Sequence, residues 1–75
     1  MEDINELVKT GKKQLEDGKY SDALDSFQKA LSLNQNNPDL WNLKGITLRS
    51  LGRYNEAIEC FNKSLEIDPR DKDSS

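Results

Sequence analysis

Laid over itself at a shift of 34 residues, the chain repeats. Gly11 falls on Gly45, Gly18 on Gly52, Tyr20 on Tyr54, Ala23 on Ala57, Phe27 on Phe61, Lys29 on Lys63 and Leu31 on Leu65, without a gap. Matched types fill the intervals: Leu7 with Trp41, Lys19 with Arg53, Asp22 with Glu56, Leu24 with Ile58, Asp25 with Glu59 and Leu33 with Ile67. Both glycines and both aromatics in one register define two copies of one unit, Ile4 to Asn37 and Pro38 to Asp71. A unit this short cannot bury its apolar face alone, so the copies must stack on one another.

Each unit carries a helical pattern. Ala23, Leu24, Phe27, Ala30 and Leu31, and their counterparts Ala57, Ile58, Phe61, Ser64 and Leu65, recur at spacings of three and four, which gathers them on one helix face. The breaks are equally legible. Gly18 and Gly52 each close a periodic stretch and precede a basic residue and a Tyr, as where a glycine turns left-handed to end a helix. Asn37-Pro38 pairs a capping acceptor with a proline at the first helical position. Asp68-Pro69 stops the last helix, because the residue before proline avoids the helical region. The pattern predicts four helices, 3–17, 20–33, 38–51 and 54–67, in two antiparallel hairpins hinged at Asn34 to Asn37. Arg70 to Ser75 has no periodicity and is expected to be loose.

Composition narrows the function classes. A chain of 75 residues leaves much of its surface wet, which disfavours a deep catalytic cavity. It has no His, no G-x-S-x-G, no Gly-rich phosphate loop and a single cysteine, so the commonest acid–base, nucleophile, nucleotide and zinc arrangements are lacking. Cys60 beside Glu59 has no base to activate it and reads as a structural thiol, suited to a reducing compartment. The acids Asp68, Asp71 and Asp73 lack a calcium loop's pattern of alternate acids followed by Gly and a distal Glu and read as a solvated tail, and no cofactor is called for. A net charge of −3 argues against nucleic acid and anionic membrane as partners. No apolar run approaches the roughly 20 residues of a membrane span. The start Met1-Glu2-Asp3-Ile4-Asn5-Glu6 lacks the features of a signal peptide, and the expected location is cytoplasmic.

These residues resemble the tetratricopeptide repeat, whose unit reads W-x2-L-G-x2-Y, then A-x3-F, then P. Trp41, Gly45, Ala57, Phe61 and Pro69 carry the resemblance in the second unit; Gly11, Ala23 and Phe27 carry it in the first, with Leu7 in the Trp position and Gln35 in the Pro position. The resemblance implies an all-α fold, a short right-handed solenoid of two tandem hairpins forming one domain, and a protein-interaction scaffold rather than an enzyme. It places Gly11 opposite Ala23 and Gly45 opposite Ala57, small against small, with Tyr20 and Tyr54 covering the hairpin turns. It makes Trp41 a packing residue rather than a ligand anchor. Thr10, Gln14 and Lys44 fall where the family prefers apolar residues, so those core edges are expected to be more polar and the first hairpin weaker.

By the same resemblance, the binding surface is the concave face made by the first helix of each pair. Its candidates are Asn5, Val8, Lys9, Lys12 and Glu16 in the first hairpin, and Asp39, Asn42, Leu43, Ile46 and Arg49 in the second. Apolar residues set among basic ones suit a peptide or protein with an apolar anchor and an acidic flank. The branch of the family that clamps chaperone tails uses positions held here by Val8, Lys12 and Leu43, together with a third repeat, so that ligand is not expected. The alternative is a self-association module or a fragment of a longer array. The second hairpin's counterpart of the stacking face, Phe61, Ser64 and Leu65 joined by Leu48 and Leu51, is expected to stay exposed in a monomer and to pair as a homodimer.

Overall fold

A computed structural model describes residues 3–68. Among these residues there are four helices and no strand: α1 (Ile4–Glu16), α2 (Tyr20–Leu33), α3 (Pro38–Ser50) and α4 (Tyr54–Ile67). The expected boundaries hold to within a residue at each end. The tail 70–75 lies outside the described residues, as do Asp71 and Asp73.

Local chemistry sets the ends. The Asp3 side chain accepts from the Asn5 N–H at the start of α1, and Asn37 accepts from the Asp39 N–H at 3.0 Å at the start of α3, with Pro38 next in line. Gly18 and Gly52 have φ of 79° and 83°, a conformation that costs glycine nothing. Each completes a Schellman cap: Lys19 N–H donates to Gln14 C=O at 2.8 Å and Gly18 N–H to Leu15 C=O at 3.2 Å. One repeat on, Arg53 N–H donates to Leu48 C=O at 2.9 Å and Gly52 N–H to Arg49 C=O at 3.0 Å. α4 ends at Ile67 with Asp68 extended, as the residue before Pro69 requires.

Each helix packs on its neighbours in the chain, and α1 meets α3 only along a slight seam. The hairpins are stitched by exchange of one leucine each. Leu40 of α3 enters the first core with Leu7, Ala23, Phe27, Ala30 and Leu31, while Leu24 of α2 enters the second with Leu48, Ala57 and Cys60. Burying such a side chain is worth roughly 1.5 to 3 kcal/mol, so the two exchanged leucines contribute to holding the hairpins in register. Trp41 leans on both cores, and its indole N–H donates to the Gln35 C=O at 2.8 Å, fastening α3 to the loop before it.

Two packing expectations are corrected. The closest side chain to Gly11 is the Phe27 ring and to Gly45 the Phe61 ring, not Ala23 or Ala57; the glycines make room for an aromatic face. Tyr54 is 62% exposed and does not cover its turn, although Tyr20 is half-buried. The polar edge of the first hairpin is hydrogen-bonded: Ser26 Oγ–H donates to Gln14 Oε1 at 2.7 Å.

Candidate functional site

Along the seam where α1 and α3 converge lies a cleft of about 510 Å³. From α1 it takes Asn5, Val8, Lys9 and Lys12, which spacings of three and four bring onto one helix face. From α3 and its cap it takes Asn37, Asp39, Leu40, Asn42 and Leu43. Half-buried Val8 and Leu43 and buried Leu40 form the apolar floor, with Asn5, Lys9, Lys12 and Asp39 exposed around it. The rim therefore carries two ammonium groups against one carboxylate.

The cleft is built on rigid parts. Val8 and Leu43 pack against the first core, and Leu40 belongs to it, so the floor is fixed by the same contacts that join the hairpins. Asn37 is held as the helix cap, its Oδ1 occupied by the Asp39 N–H. Of the expected concave-face residues, Glu16, Ile46 and Arg49 do not line this cleft. They sit farther along α1 and α3, past the convergence of the two helices. Asn37 and Leu40 were not anticipated as lining. Asn37 is read from the sequence only as a cap, and both residues reach the cleft because α3 starts there.

The opposite side carries a second hollow of about 330 Å³ between α2 and α4, floored by Trp41 and Leu48 of α3. Lys44 extends over it, its Nζ 5.4 Å from the Trp41 ring centroid, a cation–π arrangement that lets the stem pack while the charge stays wet. Cys60 lies against this hollow but is only 4% exposed. Burial pushes its thiol pKa up, Lys44 opposes that by a smaller amount, and Glu59 and Glu56 add to it. At the mouth Arg53 pairs with Glu56, its NH2 nitrogen 2.8 Å from Oε1 and its Nε on Oε2, which holds the Glu56 carboxyl below its ordinary range. Among the described residues no group of His, Cys, Asp and Glu is arranged to hold a metal, and no helix is long and apolar enough to cross a membrane.

The expected self-association face needs correction. Leu48 is 2% and Ser64 5% exposed, Leu51 and Phe61 are half-buried, and Leu65 is 38% exposed. Leu48 is consumed by packing with Leu24, Ala57 and Cys60, and Ser64 occupies the buried place that Ala30 holds one repeat earlier. The exposed apolar residues on this hairpin instead include Tyr54 and Ile58, at 62% and 55%.

Paired antiparallel helices, repeated in register and stacked through shared core leucines, with a cleft between the first helices of the pairs, define a tandem helical-repeat protein. The family comparison agrees in both repeats: the Tetratricopeptide repeat model matches residues 38–71, and a second model described as TPR repeat matches residues 11–48. The chain belongs to the tetratricopeptide repeat family, whose repeats serve as protein-interaction modules. No curated protein matches the chain.

Proposed function

We propose that this chain is a protein-interaction scaffold, not an enzyme, and that it binds an extended or helical peptide in the cleft between α1 and α3. The observation that carries this reading is that Lys9 and Lys12 flank an apolar floor of Val8, Leu40 and Leu43 in one concavity. That combination accepts an apolar anchor in the floor and a carboxylate beside the lysines. Asp39 on the far rim gives the site polarity, disfavouring an acid at that end and so setting the direction of the peptide. An overall charge of −3 makes nucleic acid a poor competitor for the two lysines. The single buried Cys60 suits a reducing, cytoplasmic setting.

The test separates cleft from surroundings. A panel of fluorescent peptides, each with one large apolar residue and an acidic flank, is titrated against the parent and against Lys12→Glu and Arg49→Glu. Lys12→Glu should weaken binding about tenfold, since it reverses a charge on the rim, while Arg49→Glu should leave affinity within about twofold. Equal loss in both variants would show a diffuse charge effect and remove the cleft from consideration.

A further inference from the structure

α2 and α4 both pack on α3 but not on each other, so a groove stays open between them with α3 as its floor. The floor is Trp41, Lys44 and Leu48; Gln28 and Ser32 stand on the α2 wall and Lys63 on the α4 wall. The hollow of about 330 Å³ already described continues past Lys44 into a further one of about 570 Å³ toward Gln35. From Trp41 to Leu48 the floor runs about 10 Å at 1.5 Å per helical residue, the reach of roughly three extended residues.

Charge is unevenly placed along this groove. Glu56 and Glu59 border only the end toward Arg53, and Arg53 has already taken Glu56. The end toward Gln35 holds Lys44 and Lys63 and no carboxylate. Lys44 is half-buried over the Trp41 ring, and its helical neighbours three and four residues away, Leu40, Trp41, Thr47 and Leu48, include no acid. Among the described residues no carboxylate lies within ion-pair distance of Lys44 or Lys63.

We propose that this groove binds an extended acidic segment of a partner protein, with a carboxylate seated between Lys44 and Lys63 and an apolar side chain two residues away against Trp41. Alternate side chains of an extended chain point the same way, so both reach the floor together. The α2 wall favours an extended chain over a helix. The side-chain amides of Gln28 and Gln35 have no hydrogen-bond partner among the described residues and can pair with a free backbone, whereas a helix has bonded its own. Glu59 repels a second acid at the far end, which directs the carboxylate toward Gln35. The proposal does not rest on the α1–α3 cleft, which shares no lining residue with the groove.

The probes are two acetylated and amidated peptides, Ser-Glu-Ser-Phe-Ser and Ser-Phe-Ser-Glu-Ser, which cover both chain directions. Each is titrated to millimolar concentration into ¹⁵N-labelled protein. Expected with at least one are saturable shifts of the Gln28, Ser32 and Lys63 amides and the Trp41 indole N–H, weakened about tenfold when its Glu becomes Gln. Lys44→Met keeps an unbranched stem on Trp41 and removes the ammonium, and should also weaken binding about tenfold. Lys63→Gln, at an exposed position, should weaken it about threefold with an unchanged melting midpoint. Lys12→Gln, in the other cleft, should not move the groove shifts. Absence of groove shifts with both peptides overturns the proposal, as do equal shifts from the Gln peptides. Equal shifts from inorganic phosphate at the same concentration overturn it in favour of a simple anion, and shifts that follow protein concentration without peptide overturn it in favour of a second copy. Shifts at Val8 and Lys9 alone would overturn it while leaving the α1–α3 cleft as the peptide site.

Discussion

The ring of Phe27 lies against Gly11 so closely that a Cβ built on that glycine would stand 2.5 Å from Cε1 and 2.9 Å from Cδ1. One repeat on, Gly45 and Phe61 hold the same relationship at 2.6 Å and 2.9 Å. The two sites differ in what surrounds the ring. Phe27 is fully buried, whereas Phe61 is only half-buried and so less tightly enclosed.

Gly11→Ala should therefore destabilise the protein more than Gly45→Ala does. Overpacking a closed site costs about 1 to 3 kcal/mol, and the better helix propensity of Ala returns roughly 0.5 to 1. Gly11→Ala is expected to lose about 1 to 2 kcal/mol, with Gly45→Ala within about 1 kcal/mol of the parent. Thermal melts followed by circular dichroism compare the two directly. Equal midpoints would mean that the burial of the ring is not what limits its yielding.

Peptide binding in the cleft should respond to salt and to Asp39. Lys9 and Lys12 are exposed, and the screening length is about 10 Å at 0.1 M salt, so raising salt severalfold should weaken an acidic peptide several-fold. Asp39→Asn removes the opposing charge and should tighten the same peptide by about two- to fivefold. It should also cost about 0.3 to 1 kcal/mol of stability, because Asp39 lies in the first turn of α3 near the positive end of the helix dipole. Tightening without that loss, or loss without tightening, would separate the two roles of the residue.

Cys60 should resist labelling in the folded protein. Burial leaves 4% of it exposed and raises the thiol pKa, so both access and thiolate fraction are low at neutral pH. A disulfide-exchange reagent should react slowly in native buffer and fully in denaturant. The linkage runs in one direction: the folded thiol binds its proton more tightly, so its contribution to stability is whole below the ordinary thiol pKa. It is lost as pH rises from there through the raised folded value. Fast native labelling would contradict the burial of α4 against α3.

Glu56 should titrate below an ordinary carboxylate, because its hydrogen bond from Arg53 favours the charged form. Arg53→Gln should move it back upward, leaving desolvation, which raises it, against the weaker lowering influence of Lys44. With a folded pKa below the unfolded one, the pair contributes above the ordinary carboxylate range and its contribution disappears as pH falls through the depressed value. The pair is exposed, so the shift should be clear in a carbon-detected carboxyl titration while the melting midpoint barely moves.

Helix number, order and ends were legible because local chemistry determines them: Gly18 and Gly52 close one helix of each hairpin whatever the tertiary context, and Asn37-Pro38 opens another. Partners across helices were less so. That Gly11 faces a ring and not Ala23 depends on the rotation of α1 about its own axis, which a spacing of three and four fixes only to within a side chain. Leu48 and Ser64 lie on helix faces that spacing marks as apolar or small, but only packing decides whether such a face looks inward or out. The cleft's lining was readable through Asn5, Val8, Lys9 and Lys12 of α1 and Asp39, Asn42 and Leu43 of α3. It stops short of Glu16, Ile46 and Arg49 because the convergence of α1 and α3 is a property of two helix axes, which no single helix pattern contains.

Trp41 is the one tryptophan of the chain, and it rests on both cores while its N–H is held by the loop that joins the hairpins. Its emission consequently reads the coupling between the repeats rather than the folding of either. If the hairpins melt as one unit, fluorescence and circular dichroism trace the same denaturant curve. If they part before they unfold, the indole gains water while the helices remain, and fluorescence moves first. The chain thereby carries a built-in gauge of nearest-neighbour cooperativity.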